Sequence, residues 1–276
     1  MNFRLLKETS TRMRLAFFIL MSLVLSVNSL DLRAQVKGGE FQKLFDWYAM
    51  EDYERCVYKA ESYTRKDKYR RAPEPYMYLA LCMYQAHINP DAFQDEFKDP
   101  LKDALKYAYK FRKKDKTGEL YSQNKRQIDQ IREEALDRAL FFYNDEEYYD
   151  ASREFTRIQK VMPGDQNVTF ITGVAMVQAR NASEGERFIS QALDSLQQQH
   201  DNKTFEKDDV THEALIKAFV SYTNYLQDNA QEERSLEVIA LGRKLVPDSP
   251  ALHAQYRKLY ANAPEESDSD TEEKEE

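Results

Sequence analysis

Apolar residues along this chain recur at intervals of three and four, not two. Ala104, Leu105, Ala108 and Phe111 form one such stripe, and Leu136, Ala139, Leu140 and Tyr143 another. That spacing places apolar side chains on one face of a 3.6-residue helix. No Asn-Gly or Asp-Gly dipeptide joins two alternating runs, so no hairpin of strands is signalled. Pro100 and Pro250 stand where they open helices, and Gly118 and Gly164 lie between periodic segments. The pattern predicts an all-α chain of ordinary helices joined by short polar turns.

The N-terminus follows a different pattern. Arg4, Lys7, Arg12 and Arg14 precede an apolar run of 13 residues, Leu15 to Val27, broken only by Ser22 and Ser26. A basic leader, a short apolar core and a small residue at Ala34 describe a secretory signal peptide over residues 1–34. The run is short of the roughly 20 residues that span a bilayer, so no integral membrane span is expected after cleavage. The expected location is periplasmic or secreted, with peripheral association to the envelope left open.

Without residues 1–34 the chain keeps 35 bases and 46 acids, a net charge of −11. Residues 262–276 hold eight acids and one lysine, hence −7 of that total, and are too charged and apolar-poor to fold. The body, near −4, lacks the dominant basic field of a general nucleic-acid binder.

Internal repetition sharpens the helical reading. Glu146-Glu147-Tyr148-Tyr149-Asp150-Ala151, then Phe155, Ile158 and Pro163, set a small residue, an aromatic four later, an apolar residue three after that and a closing proline. Glu51-Asp52-Tyr53-Glu54-Arg55-Cys56 with Ala60 and Tyr63 repeats the spacing, as do Gly185, Ile189 and Ala192, and Ser235, Ile239, Gly242 and Pro247. Ala151 to Gly185 is 34 residues. This resembles the tetratricopeptide repeat over about 37–249, most strongly at 37–84 and 132–192. The resemblance implies an α-solenoid of about five stacked helical hairpins, at approximately 37–72, 73–117, 118–165, 166–200 and 208–249. A capping helix at 250–261 and a disordered acidic tail at 262–276 would follow, with 35–261 as the repeat domain. Polar insertions at 85–99, 118–132 and 197–209 interrupt the frame.

In that family, ligands lie along the concave wall formed by the first helix of each hairpin. The frame puts Phe41, Phe45 and Tyr48 there, then Met77, Leu81 and Tyr84, Leu136, Leu140 and Tyr143, and Phe170, Val174 and Val177. In the fifth hairpin the wall turns polar, with Val220, Asn224 and Gln227. Such a wall suits an amphipathic helix or an extended apolar segment, so a protein or peptide partner is expected. The competing reading of the same positions is core packing between hairpins. The apolar Met77, Leu81, Leu136 and Leu140 do not provide the Lys, Asn and Arg of the family's carboxylate-clamp class.

Two basic runs end second helices: Arg65, Lys66, Lys68, Arg70 and Arg71, and then Lys110, Arg112, Lys113, Lys114 and Lys116. Both are expected on one edge of the stack, where they either complement helix C-termini or meet an anionic partner, a headgroup surface or the acidic tail.

Chemistry is not signalled. His87, His200, His212 and His253 lack metal-ligand spacing. No Gly-x-Ser-x-Gly elbow, His-Glu-x-x-His run or phosphate-cradling glycine loop occurs. Neither a metal nor a cofactor is expected. Cys56 and Cys82 leave a single disulfide open. The expected function is a non-enzymatic protein-binding scaffold in a periplasmic or envelope-associated assembly. The alternatives are a surface-docking module using the basic helix ends and a hydrolase built on paired carboxylates.

Overall fold

The structure, a computed structural model, describes residues 39–93 and 97–261. The expected signal peptide and acidic tail both lie outside the described residues. Within them the chain is all-helical: twelve α-helices, one 3-10 turn and no strand. In chain order these are α1 (Gln42–Ala49), α2 (Tyr53–Thr64), α3 (Glu74–Ile88), the 3-10 turn Pro90–Phe93, α4 (Pro100–Lys114) and α5 (Glu119–Gln123). Then come α6 (Lys125–Asn144), α7 (Tyr148–Val161), α8 (Gln166–Gln178), α9 (Ala182–Asp201), α10 (His212–Asp228), α11 (Glu232–Leu245) and α12 (Pro250–Ala261).

The helices pack in neighbouring pairs. Pairs α1 with α2, α3 with α4, α6 with α7, α8 with α9, and α10 with α11 form hairpins, and α12 lies on α10 and α11. Adjacent hairpins meet through α2 on α3, α4 on α6 and α7, α7 on α8, and α8 on α10. The insertions differ in detail from their sequence reading. Gln85 to Ile88 continue α3, and residues 118–132 form the short α5 and the start of α6. Polar residues are helical there because a helix satisfies its own backbone groups and needs only one buried face.

Four of the five hairpins share one turn. Each first helix ends in a residue of positive φ: Glu51 (59°), Glu146 (63°), Arg180 (64°) and Ala230 (55°). The following N–H then reaches back to close the helix: Asp52 to the Trp47 carbonyl, Glu147 to Phe142, Asn181 to Met176 and Gln231 to Leu226, each at 2.9 Å. This is the Schellman closure of a helix C-terminus, which usually carries glycine at the left-handed position. Here larger residues occupy it, at a cost of roughly 1 kcal/mol each. Three helices, α2, α4 and α8, start on an aspartate side-chain cap. Asp52, Asp99 and Asp165 accept from the N–H groups of Arg55, Lys102 and Val168.

The tightest packing is the crossing of α8 over α9. A β-carbon added at Gly173 would sit 2.8 Å from the Gly185 carbonyl oxygen, and one at Gly185 would sit 2.7 Å from that of Gly173. Backbone therefore meets backbone, which only glycine permits. Every residue of α8 from Asn167 to Val177 is buried, because α7, α9 and α10 surround it.

Three half-buried charge clusters fasten the hairpins. Arg138 on α6 bonds Asp99, the N-cap of α4, at 2.9 Å and Glu154 on α7 at 2.8 Å, and Arg157 joins Glu154. Arg132 pairs with Asp165, the N-cap of α8, and lies 3.8 Å from Asp208. Glu186 on α9 accepts from Tyr222 of α10 at 2.8 Å and from Arg234 of α11 at 2.6 Å. Burial alone would raise the Asp99 carboxyl, but the bonds from Arg138 and the Lys102 N–H outweigh it and hold the pKa below the usual value.

Candidate functional site

The residues expected on the concave wall divide sharply by burial. Phe41, Met77, Leu81, Leu136, Tyr143, Phe170 and Val174 are buried, four of them with no exposed surface at all, and Val177 is buried as well. These side chains pack the core, and no partner touches them in this conformation. In the first four hairpins only Phe45, Tyr48, Tyr84 and Leu140 keep partial exposure, and in the fifth Val220, Asn224 and Gln227 do as well. In the third and fourth hairpins the structure therefore shows core packing, the competing reading, at these positions, for two structural reasons. First, α8 is enclosed on all sides, which covers Phe170 and Val174. Second, α10 approaches α6 directly. The Lys217 ammonium donates to the carbonyls of Tyr143 at 3.1 Å and Asn144 at 3.3 Å, and lies 5.2 Å from the centre of the Tyr143 ring. Burial pushes the Tyr143 hydroxyl well above its ordinary pKa.

The polar end of that wall is also engaged. Asn224 accepts from Gln255 of α12 at 2.8 Å, and Gln227 donates to Ser235 at 2.9 Å. Of the histidines, His87 meets Glu134 at 3.2 Å and His253 meets the Pro247 carbonyl at 2.7 Å. Cys56 and Cys82 are buried free thiols, and Cys56 donates to the Leu44 carbonyl. Among the described residues no group of three or more His, Cys, Asp or Glu side chains could hold a metal ion. No described helix is long and apolar enough to cross a membrane.

The two basic runs, separate in sequence, are brought together. Lys114 at the end of α4 donates to the Arg70 carbonyl at 2.6 Å. Tyr76, in the first turn of α3, lies between them. Its hydroxyl bonds the same Arg70 carbonyl at 3.1 Å, and the ammonium groups of Lys114 and Lys110 stand 4.7 Å and 5.9 Å from its ring centre. One aromatic residue thus meets two cations of the second run with its ring and the backbone of the first run with its hydroxyl. Arg112 extends the edge to the third hairpin through the Lys160 carbonyl at 3.4 Å.

These cations divide into compensated and uncompensated groups. Arg65 pairs with Glu61, Lys68 with Glu40, and Arg70 with Asp67. Lys66, Arg71, Lys110, Arg112, Lys113 and Lys114 have no carboxylate at ion-pair distance among the described residues. The consequence shows at Lys114. Partial burial lowers its pKa, and Lys110, Arg70, Arg71 and Lys113 lower it further. Beside it lies a cleft of about 500 Å³ whose lining includes Tyr109, Arg112, Lys113, Lys116, Tyr121 and one carboxylate, Asp115, which accepts from the Tyr121 N–H and the Thr117 hydroxyl. A cleft of about 560 Å³ between α9 and α11 is larger, but Asp194 and Glu237 balance Arg234 and Lys244 along it. Tyr76 was not singled out from sequence, because no local pattern shows a helix-start tyrosine meeting a lysine 38 residues further on.

No protein-family model matches the chain, and no curated protein matches it. Fold and site together define a class and no more: an all-helical chain of packed hairpins with a cationic edge assembled from two helix ends.

Proposed function

We propose that the protein is an exported, non-enzymatic binding scaffold built on tetratricopeptide-like hairpins, and that it engages an acidic protein segment through its basic edge. The observation that carries this reading is the convergence of Arg71, Lys110, Lys113 and Lys114 on the surface without carboxylate partners. Cations held together repel one another and favour a bound anion, which supplies both affinity and orientation. The hairpin turns at Glu51, Glu146, Arg180 and Ala230 and the Gly173–Gly185 crossing support a repeat architecture, in which each hairpin shares its core with its neighbours.

Binding is favoured over catalysis because the acids at the joints between helices already have structural partners. Asp99, Glu154, Asp165 and Glu186 are each bonded to an arginine that joins two or more helices. The half-exposed Phe45, Tyr48, Tyr84 and Leu140 are the remaining candidates for apolar contact with a partner.

The test is capture of the native partner by the full chain and by a variant with Arg70, Arg71, Lys113 and Lys114 changed to glutamate. Circular dichroism of both confirms the fold. Loss of capture in the variant, and weakening of native capture in high salt, support the edge. Undiminished capture by the variant excludes it, and loss on Tyr84→Ala alone would move the site to the apolar face.

A further inference from the structure

The chain has only two cysteines, Cys56 and Cys82, and the fold brings both to one buried contact. Cys56 lies on α2 and Cys82 on α3, two helices that pack side by side. Neither residue has any exposed surface. The two thiols make a side-chain hydrogen bond, and the Cys56 thiol reaches the Leu44 carbonyl of α1 at 3.5 Å. Three helices thus meet at two sulfur atoms. We infer that Cys56 and Cys82 join in a disulfide bond within the chain, made as the protein folds, which fastens the first hairpin to the second. This goes beyond the binding reading and is independent of what the basic edge holds.

The bond requires little of the fold. Sulfurs already in contact reach the roughly 2.05 Å of a disulfide by side-chain rotation and a small approach of the two helices. Its position is where packing is thinnest. Helix α1 has eight residues and buries only Leu44 among them. Both helices of this hairpin rest on α3, whereas the inner hairpins have a packed neighbour on each side among the described residues. In a stack of repeats an end hairpin has fewer neighbour contacts, so it opens first. A covalent bond from α2 to α3 holds that end against opening. It also restricts the unfolded chain by closing the 27-residue segment 56–82.

The chemistry sets when the bond forms. Burial, and then the contact with Cys56, hold the Cys82 thiol well above its ordinary pKa, so in the closed interface it stays protonated and out of reach. Oxidation therefore precedes the closure of α2 on α3. While the interface is open, the thiolate of one cysteine attacks an oxidising disulfide such as glutathione disulfide and releases one glutathione. The thiolate of the other cysteine then displaces the second glutathione. Two S–H bonds are lost and one S–S bond is formed, and the two electrons and two protons pass to the oxidant, which leaves as two thiols. An exported chain meets such oxidants as it folds. After closure the same burial shields the bond from reductants.

The experiment uses the full chain, expressed with its N-terminal segment so that any processing takes place. One sample is held at the midpoint of its urea transition with glutathione disulfide and returned to buffer, and a second is treated in the same way with dithiothreitol. Thiols are then blocked with iodoacetamide in guanidinium, and tryptic peptides are mapped by mass spectrometry. The expected result is peptide 56–59 joined to peptide 72–98 in the oxidised sample alone. The oxidised sample melts higher by about 5–10 °C, and its amide exchange slows most over residues 42–64. Cys56→Ala and Cys82→Ala each remove both the linked peptides and the difference in melting between the two treatments. Two alkylated cysteines after treatment with glutathione disulfide overturn the inference, as does a disulfide that joins two chains. So does a linked pair that leaves melting and exchange unchanged or lowers the melting temperature. Because the oxidant is supplied to the purified chain, any of these failures leaves the export and binding readings standing.

Discussion

The middle of the molecule and its basic edge handle charge in opposite ways. Between α4, α6 and α7, Arg138 and Arg157 are matched to Asp99 and Glu154, and Arg132 is matched to Asp165 at the next joint. At the edge, Lys110 and Lys114 stand over Tyr76, Arg71 and Lys113 add charge beside Lys114, and none of the four has a carboxylate at ion-pair distance among the described residues. A half-buried charge without a partner is costly, so the joints that hold the hairpins together carry pairs. An exposed cluster of one sign costs less, and it is useful only if something binds to it. The difference separates the cations paired with carboxylates at the joints from the edge cations that have none.

The comparison is sharpened first where charge plays no part. Gly185→Ala is expected to lower stability by about 2–3 kcal/mol in urea unfolding, because the new methyl group meets the Gly173 carbonyl and the Val177 side chain. The gain in helix propensity, roughly 1 kcal/mol, does not offset the clash. A neutral outcome would mean that α8 and α9 separate easily.

Arg138→Gln is the next largest effect, about 2 kcal/mol at neutral pH. It lies below the range for fully buried pairs because the Asp99 side chain is 38% accessible. The pH dependence has a definite sign. The Asp99 pKa is lowered in the fold, so its stabilisation is present above the unfolded value of about 3.9 and is lost as pH falls through the lower folded value. The native chain should therefore lose stability on acidification below about pH 4, and Arg138→Gln should flatten that limb. Identical acid limbs in the two proteins would remove Asp99 and Arg138 from the account.

Arg180→Gly is expected to raise stability by about 0.5–1 kcal/mol, since the residue closes α8 at φ 64° and glycine adopts that conformation without strain. A loss of stability on this change would show that the side chain contributes something its position does not reveal.

The helical class was legible because few residues contradict a helix: only seven glycines and eight prolines occur, and apolar positions recur at three and four. Gly185 was legible as a small position of the repeat spacing, and its contact with Gly173 required the packing of α8 on α9. The hairpin turns were less so. Their left-handed positions hold Glu51, Glu146, Arg180 and Ala230, none of which signals a helix end as glycine does. Which residues of the expected wall are covered was not legible, for a deeper reason. A repeat frame tells which way a side chain faces, but not what covers it. Tyr143 is capped by Lys217, which lies 74 residues away. The basic runs were legible as runs, and their meeting around Tyr76 depends on how three helices pack.

The smallest expected energetic effect tests the central claim most directly. Arg70, Arg71, Lys113 and Lys114 are changed together to glutamine, and the unfolding free energy is measured by urea titration at low and high salt. If these cations serve binding and not folding, the variant is as stable as the native chain or more stable by a few tenths of a kcal/mol, with the gain confined to low salt as mutual repulsion is relieved. A loss of more than about 1 kcal/mol would show that the edge holds the fold together and would contradict its assignment as a binding surface.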